Sequence, residues 1–219
     1  MKLLQRTIYY GWWVVVSSFF IHSTAFGLYW LGFSVFFIPI QESLGISRAA
    51  ASLPFTLRGI IGIGLAPLVG VLVDRFGPSK ILIFCALLGG SGFVLLKWVD
   101  SYLMFMIVFL LVISIGMMPF DLPTTAAVGR WFQRNRGRAM SLAFMGFPFG
   151  GMVLIPLMAL GVDHFGWRNT VIIAGIIIWA VVLPLATRLY NSPESRGLQI
   201  DGGTGPDEIP LKDTPTIQI

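Results

Sequence analysis

The chain has 219 residues, of which 56% are hydrophobic and only 11% are charged, and its mean hydropathy is +0.82. Soluble domains carry about 25% charged residues, so this composition excludes an ordinary soluble protein and predicts an integral membrane protein. The net charge of +5 is therefore interpreted by where the charges fall, and not as a sign of nucleic-acid binding.

Six apolar stretches are long enough to cross a bilayer, which takes about 20 residues of helix. We place these spans at 11–38, 50–73, 79–98, 102–129, 139–161 and 169–188. The first span is too long for a signal-peptide core and is predicted to stay uncleaved. The predicted organisation is an N-terminus at 1–10, a transmembrane bundle at 11–190 and a polar tail at 191–219. That tail is rich in Gly, Pro and acidic residues, which predicts a disordered linker.

Lysine and arginine are distributed unevenly between the two sides of this predicted bundle. Most of them lie on the side that holds both termini, and only Arg48, Lys97 and Arg168 lie on the other side. Positively charged loops stay on the cytoplasmic side of a membrane. The sequence therefore predicts a multi-pass protein of the cell membrane with both termini in the cytoplasm.

Two short sequences recur in the two halves of the bundle. VDRFG at 73–77 follows the second span, and VDHFG at 162–166 follows the fifth. Similarly, RAAASL at 48–53 opens the second span, and RAMSL at 138–142 opens the fifth. Because three spans separate the paired sequences, they fall on opposite faces of the membrane, which predicts a three-plus-three inverted repeat.

The stretch GVLVDRFGPSK at 70–80 resembles the sequence that the major facilitator superfamily carries between its second and third helices. The matching positions are Gly70, Asp74, Arg75, Gly77 and Lys80, whereas Pro78 and Ser79 stand where the family most often has basic residues. The resemblance implies a latch that closes the cytoplasmic side in the outward-facing state and opens during the transport cycle.

The residue types of this stretch suggest a role for each position independently of the resemblance. Gly70 is expected to let another backbone approach the end of the second span. Asp74 is expected to cap a helix N-terminus or to pair with Arg130 or Arg138. Gly77 is expected to form a tight turn with the following proline.

The resemblance also implies an all-α fold that forms half of a twelve-helix carrier. In the family, the main partner of the latch belongs to the second half. We therefore expect a truncated chain, with two copies that assemble into one carrier as the alternative. The expected partner is accordingly the missing half or a second copy.

Longer stretches resemble the monocarboxylate-transporter-like branch, which includes the oxalate/formate exchangers. They are YYGWWVVVSSFF at 9–20, VFFIPIQESLGISRA at 35–49, RWFQRNRGRAMSLAFMGFPFGG at 130–151 and FGWR at 165–168. The resemblance implies an organic anion or monocarboxylate as solute, carried by symport or antiport. Some monocarboxylate carriers place a lysine where this chain has Tyr29, Trp30 and Leu31, so lactate-like acids are not the expected substrates.

Three titratable side chains fall inside predicted spans, where charges are costly and usually functional. They are His22 in the first span, Arg58 in the second and Asp121 in the fourth, and Tyr29 shares a helical face with His22. Our hypothesis is that Arg58 attracts an anionic substrate while Asp121, with His22, exchanges a proton. The alternative is a structural Arg58–Asp121 pair, with His22 hydrogen-bonded to a backbone carbonyl.

Other classes of function find little support in the sequence. No phosphate-binding loop, serine–histidine arrangement or cysteine and histidine cluster is present, so we expect neither an enzyme nor a cofactor or metal. The arginines and aromatic residues of RWFQRNRGR at 130–138 are interpreted as contacts with anionic lipid, because they lie at a helix junction, and not as a nucleic-acid site. The rival function is a non-transporting membrane scaffold or regulator that uses the bundle to bind partners.

Overall fold

The computed structural model describes residues 9–189, 193 and 198–202. Within them, six helices are long and apolar enough to cross a membrane: α1 (Gly11–Leu44), α2 (Arg48–Phe76), α3 (Pro78–Trp98), α4 (Tyr102–Trp131), α5 (Arg136–Phe165) and α6 (Trp167–Thr187). They correspond to the six predicted spans, and the protein is an all-α, multi-pass membrane protein. The largest difference is at α1, which continues to Leu44 because Gly45, with φ 62°, is the residue that ends it.

The two VDxFG sequences form the same turn at opposite ends of the bundle. Gly77 (φ 85°, ψ 155°) joins α2 to α3, and Gly166 (φ 73°, ψ 158°) joins α5 to α6. Each glycine N–H donates to the carbonyl of the valine four residues earlier, at 2.9 Å. Positive φ is accessible to glycine without strain. The inverted repeat predicted from the sequence is therefore present in the structure.

Helices α1 and α4 are irregular in their middle sections. Each contains a π-helical turn, at Phe26–Trp30 in α1 and Val108–Ser114 in α4. Helix α4 also contains a 3-10 turn at Met118–Phe120. The Tyr29 hydroxyl, in the first π-helical turn, donates to Ser114 Oγ at 2.9 Å in the second. This hydrogen bond joins the two irregular sections, which are of the kind often found at functional sites.

Glycines allow close packing in two helix pairs. A Cβ on Gly150 of α5 would overlap the backbone of Ser23 in α1, and a Cβ on Gly27 of α1 would overlap the backbone of Gly150. In the same way, Gly175 of α6 lies against the Gly90 carbonyl of α3. Small residues provide such contacts in membranes, where hydrophobicity alone does not drive helices together.

Helix α2 packs much less tightly than the others. In the apolar membrane-spanning segment of α2, only 11% of the residues are buried, against 56% in that of α1. No atom of the described residues lies within 4 Å of a Cβ built on Gly70. The backbone contact predicted at Gly70 is made by none of the described residues and stays a prediction.

At the end of the bundle opposite Asp74, one arginine ties three loops together. Arg168 pairs with Asp100 at 2.9 Å and stacks on Trp167 at 4.7 Å. It also donates to the carbonyls of Lys97 and Val99 and to Ser43 Oγ, at 3.0, 3.3 and 3.3 Å. These contacts join the start of α6 to the end of α1, the end of α3 and the connection between α3 and α4.

A short part of the polar tail contacts the loop between α4 and α5. Ile200–Gly202 forms a 3-10 turn. The Asp201 carboxylate accepts hydrogen bonds from the backbone N–H groups of Gln133 and Arg134, at 3.0 and 2.6 Å. The Tyr9 hydroxyl donates to the Gln199 carbonyl at 3.1 Å. The rest of the tail, apart from Pro193 and Leu198, lies outside the described residues.

Candidate functional site

A cleft of about 310 Å³ opens between α1, α4 and α5, beside the irregular sections. Its polar residues are His22 and Asp121, and its aromatic residues are Phe26, Trp30, Phe120 and Phe147. A second cleft of about 190 Å³, between α2 and α4, shares Met118 and Asp121 with the first. Asp121 therefore faces both openings.

His22 and Asp121 form the polar centre of the larger cleft. Nε2 of His22 lies 3.4 Å from Oδ1 of Asp121, and the side chains are 1% and 62% exposed, respectively. Nδ1 of His22 lies 3.1 Å from the Ala143 carbonyl oxygen, which can only accept, so we assign a proton to Nδ1. Nε2 makes no well-aligned hydrogen bond to any described residue. A buried nitrogen left in this way next to an accessible carboxylate is a mark of a functional site.

Arg58 of α2 does not line this cleft and is held by aromatic rings of α1 and α2. Its guanidinium carbon is 5.1 Å from the Tyr29 ring centroid, 5.0 Å from Trp30 and 5.2 Å from Phe55. Nη1 donates to the Tyr29 carbonyl at 3.5 Å. Cation–π contacts of this kind hold a guanidinium in place without neutralising its charge.

The predicted alternative of a structural Arg58–Asp121 pair is not formed. Among the described residues, the ion pairs involve His22 with Asp121, Arg130 with Asp74 and Arg168 with Asp100. Asp121 is paired with the histidine, and the Arg58 guanidinium contacts the rings of α1 and α2. The hydrogen bond from His22 to a backbone carbonyl, which belonged to the same alternative, is present.

Sequence reasoning missed the contribution of α5 to this cleft. Phe147 lies with its ring centroid 4.5 Å from that of His22. It comes this close because Gly146 and Gly150 on either side pack against the backbone of α1. The alternation of glycine and phenylalanine in GFPFGG at 146–151 was the available signal, and we had treated it only as a loose echo of a family motif.

The predicted latch residues lie around the ion pair between Asp74, near the C-terminal end of α2, and Arg130. Arg130 Nη2 lies 3.3 Å from Asp74 Oδ1, and the side chains are 34% and 83% exposed. Arg138, the other predicted partner, is exposed and forms no ion pair with a described residue, and Arg75 and Lys80 are also exposed. Asp74 does not cap α3, whose N-cap residue is Gly77.

No metal site emerges from this arrangement. Within the described part of the chain, no three His, Cys, Asp or Glu side chains lie close enough to hold a metal ion. The cleft offers a histidine facing a carboxylate, and Arg58, held by rings, lies beside Trp30 at its edge.

An inverted repeat of membrane-spanning helices, interrupted next to a cleft with titratable groups, is an architecture that secondary transporters use. The family model for the Major Facilitator Superfamily matches residues 15–212, and the chain belongs to that superfamily. It is 27% identical to monocarboxylate transporter 14 of Mus musculus over 202 residues, which cover 85% of this chain and 38% of that protein.

Two further relatives have similar coverage. The chain is 26% identical to monocarboxylate transporter 4 of Mus musculus over 198 residues, covering 90% of this chain and 41% of that protein. It is 25% identical to the uncharacterized MFS-type transporter YcxA of Bacillus subtilis over 174 residues, covering 79% and 43%. The chain thus spans roughly two fifths of the length of the curated relatives that it matches.

Proposed function

We propose that this chain forms the substrate-binding part of a secondary transporter that moves a small organic anion of the monocarboxylate class by alternating access, coupled to protons. The observation that carries the proposal is Arg58, a cation within a membrane span that has no carboxylate partner among the described residues. The monocarboxylate transporters among the relatives support the same class of solute.

An anion would complete the surroundings of Arg58. A charge at the centre of a membrane costs roughly 2.5–3.5 kcal/mol on insertion scales, so an unpaired one calls for a counter-charge. A guanidinium has five N–H donors, and one nitrogen of Arg58 is directed to the Tyr29 carbonyl. The other donors can bind a substrate carboxylate, and two parallel hydrogen bonds are the preferred arrangement.

His22 and Asp121 would carry the proton. With Nδ1 protonated, the neutral ring presents the Nε2 lone pair to the Asp121 carboxylate, and two acceptors at 3.4 Å repel each other. One proton, held by Nε2 or by the acid, removes that repulsion. Asp121 is 62% exposed and can exchange this proton with water in the cleft.

The exposed pair Asp74–Arg130 would act as the latch, together with Gly77 and its flanking basic residues. From the distribution of Lys and Arg, we assign this end of the bundle and both termini to the cytoplasmic side of the cell membrane. Residues 1–10 and 191–219 would then flank a transmembrane bundle at 11–190. A pair that joins the ends of α2 and α4 can open and close at little cost, because it is exposed to water.

Asp74→Asn is expected to slow transport by up to about fivefold, because an exposed ion pair is worth at most about 1 kcal/mol. The unfolding temperature should stay close to that of the wild type. The matched control is Asp163→Asn, since Asp163 holds the equivalent position in the second VDxFG turn and is exposed without an ion pair to a described residue. Initial rates of uptake in proteoliposomes measure the effect. Equal rates of uptake for both variants and the wild type would refute the proposed latch role of Asp74.

The proposed function is tested by uptake of labelled monocarboxylates by the full-length protein in proteoliposomes, compared with Arg58→Gln and Arg58→Lys. A charge-assisted hydrogen bond is worth about 1.5–3 kcal/mol, so Arg58→Gln should weaken the apparent affinity by about ten- to a hundredfold. Arg58→Lys keeps the positive charge and should retain part of the affinity. Undiminished uptake by Arg58→Gln would refute the role of Arg58. Absence of carboxylate uptake by the well-folded wild type would favour the scaffold function instead.

A further inference from the structure

Resting on the proposed function, we infer that the transported anion carries an aromatic ring: a short carboxylic acid with an aryl or indolyl substituent, and not an acid of lactate size. Three features lead to this substrate class. They are a continuous run of aromatic rings along the cleft, the position of Arg58 beside Trp30 at one end of that run, and the volume of the cleft.

The first feature is the run of rings from α5 to α1. The Phe147 ring lies 5.0 Å from Phe26, and Phe26 is stacked on Trp30 at 6.4 Å with 27° between their planes. All three line the cleft. Phe26 and Phe147 are half-buried and Trp30 is 41% exposed, so each ring leaves part of its surface open to a bound molecule. Ring pairs at centroid distances of 4.5–7 Å attract each other beyond simple burial.

The second feature is the position of the charges relative to these rings. The Arg58 guanidinium lies 5.0 Å from the Trp30 centroid at one end of the run. His22 lies 4.5 Å from Phe147 at the other end, and Asp121 lies beside it. A carboxylate bound at Arg58 would lie beside Trp30, and the Trp30, Phe26 and Phe147 rings that line the cleft would then offer their surface to the rest of the molecule. An aromatic substituent placed there would meet rings, whereas a hydroxyl or methyl group would leave them uncovered.

The third feature is the volume. At about 310 Å³, the cleft is at the lower end of the range of about 300–1,000 Å³ that is usual for sites of drug-sized ligands. A three-carbon acid would leave most of this space to water. The polar groups of the cleft are confined to His22 and Asp121, so most of its wall gains from contact with an apolar body.

The test uses two acids that share one head group and differ by a ring: pyruvate and phenylpyruvate. Uptake of each is measured in proteoliposomes with the full-length protein, and the two KM values are compared. We expect at least a tenfold lower KM for phenylpyruvate. Equal KM values, or a lower value for pyruvate, would overturn the inference and leave the proposed function standing. Uptake of neither acid would overturn both.

Variants of Phe147 separate ring recognition from a general effect on folding. Phe147→Leu keeps an apolar side chain but removes the ring, and should raise the KM for phenylpyruvate about two- to tenfold with little change for pyruvate. Phe147→Trp should keep the preference. Phe84→Leu is the matched control, because Phe84 is 61% exposed on α3 and does not line the cleft. An equal rise of both KM values in Phe147→Leu would contradict the inference.

Discussion

We expect Asp121→Asn to abolish proton-driven uptake of the organic anion while the protein still folds. The asparagine amide can donate a hydrogen bond to Nε2 of His22 at all times, so the neutral pair survives but no longer takes up or releases a proton. The side chain is 62% exposed, and the change is nearly isosteric, which leaves the packing of α4 unchanged. Uptake driven by an inward proton gradient should fall at least tenfold.

Exchange of labelled for unlabelled anion separates coupling from binding in this variant. Exchange needs no net movement of protons, so it should persist in Asp121→Asn when the same anion is present on both sides. Asp121→Glu retains a carboxylate and should keep part of the gradient-driven uptake. Gradient-driven uptake at the wild-type rate in Asp121→Asn would rule out the coupling role of the acid.

The second large effect is expected from Gly150→Ala, which should greatly reduce the yield of folded protein. A methyl group at this position would overlap the backbone of Ser23, and a backbone cannot move aside as the end of a side chain can. Overpacking typically costs about 1–3 kcal/mol, and the contact between α1 and α5 also positions Phe147 and His22. Thermal unfolding in detergent and the fraction of monodisperse protein measure the change.

Gly64→Ala provides the control for helix propensity. Gly64 lies on the exposed face of α2, with no atom within 4 Å of an added Cβ. The same substitution there gains up to about 1 kcal/mol of helix propensity without a clash, so its unfolding temperature should equal or exceed that of the wild type. If Gly150→Ala unfolded at the same temperature as Gly64→Ala, the close contact between α1 and α5 would be refuted.

The parts of the fold that depend on local chemistry could be predicted from the sequence. The six spans follow from the length of the apolar stretches, and the two VDxFG turns follow from glycines that can adopt positive φ. The end of α1 was placed too early because Gln41 and Glu42 break the apolar stretch without breaking the helix. At Gly70, the glycine indicates that a close contact is allowed, but it does not indicate which backbone makes that contact.

The partner of Asp121 could not be predicted for a geometric reason. The rise of 1.5 Å per residue gives the depth of a side chain along a regular helix, and by depth both His22 and Arg58 were candidates. The direction of a side chain around the axis depends on every turn before it. The π-helical turn at Val108–Ser114 and the 3-10 turn at Met118–Phe120 rotate the following residues, and neither could be inferred from composition. The direction of the Phe147 side chain around the axis of α5 could not be predicted for the same reason.

The most direct test of proton-coupled anion transport is the simultaneous recording of both fluxes in one preparation. Proteoliposomes that contain the full-length protein and an internal pH indicator would receive labelled phenylpyruvate at equal pH on both sides. The account predicts that acidification of the lumen accompanies uptake of the label in a fixed ratio, and that Asp121→Asn removes the acidification. Uptake of the label without any movement of protons would contradict it.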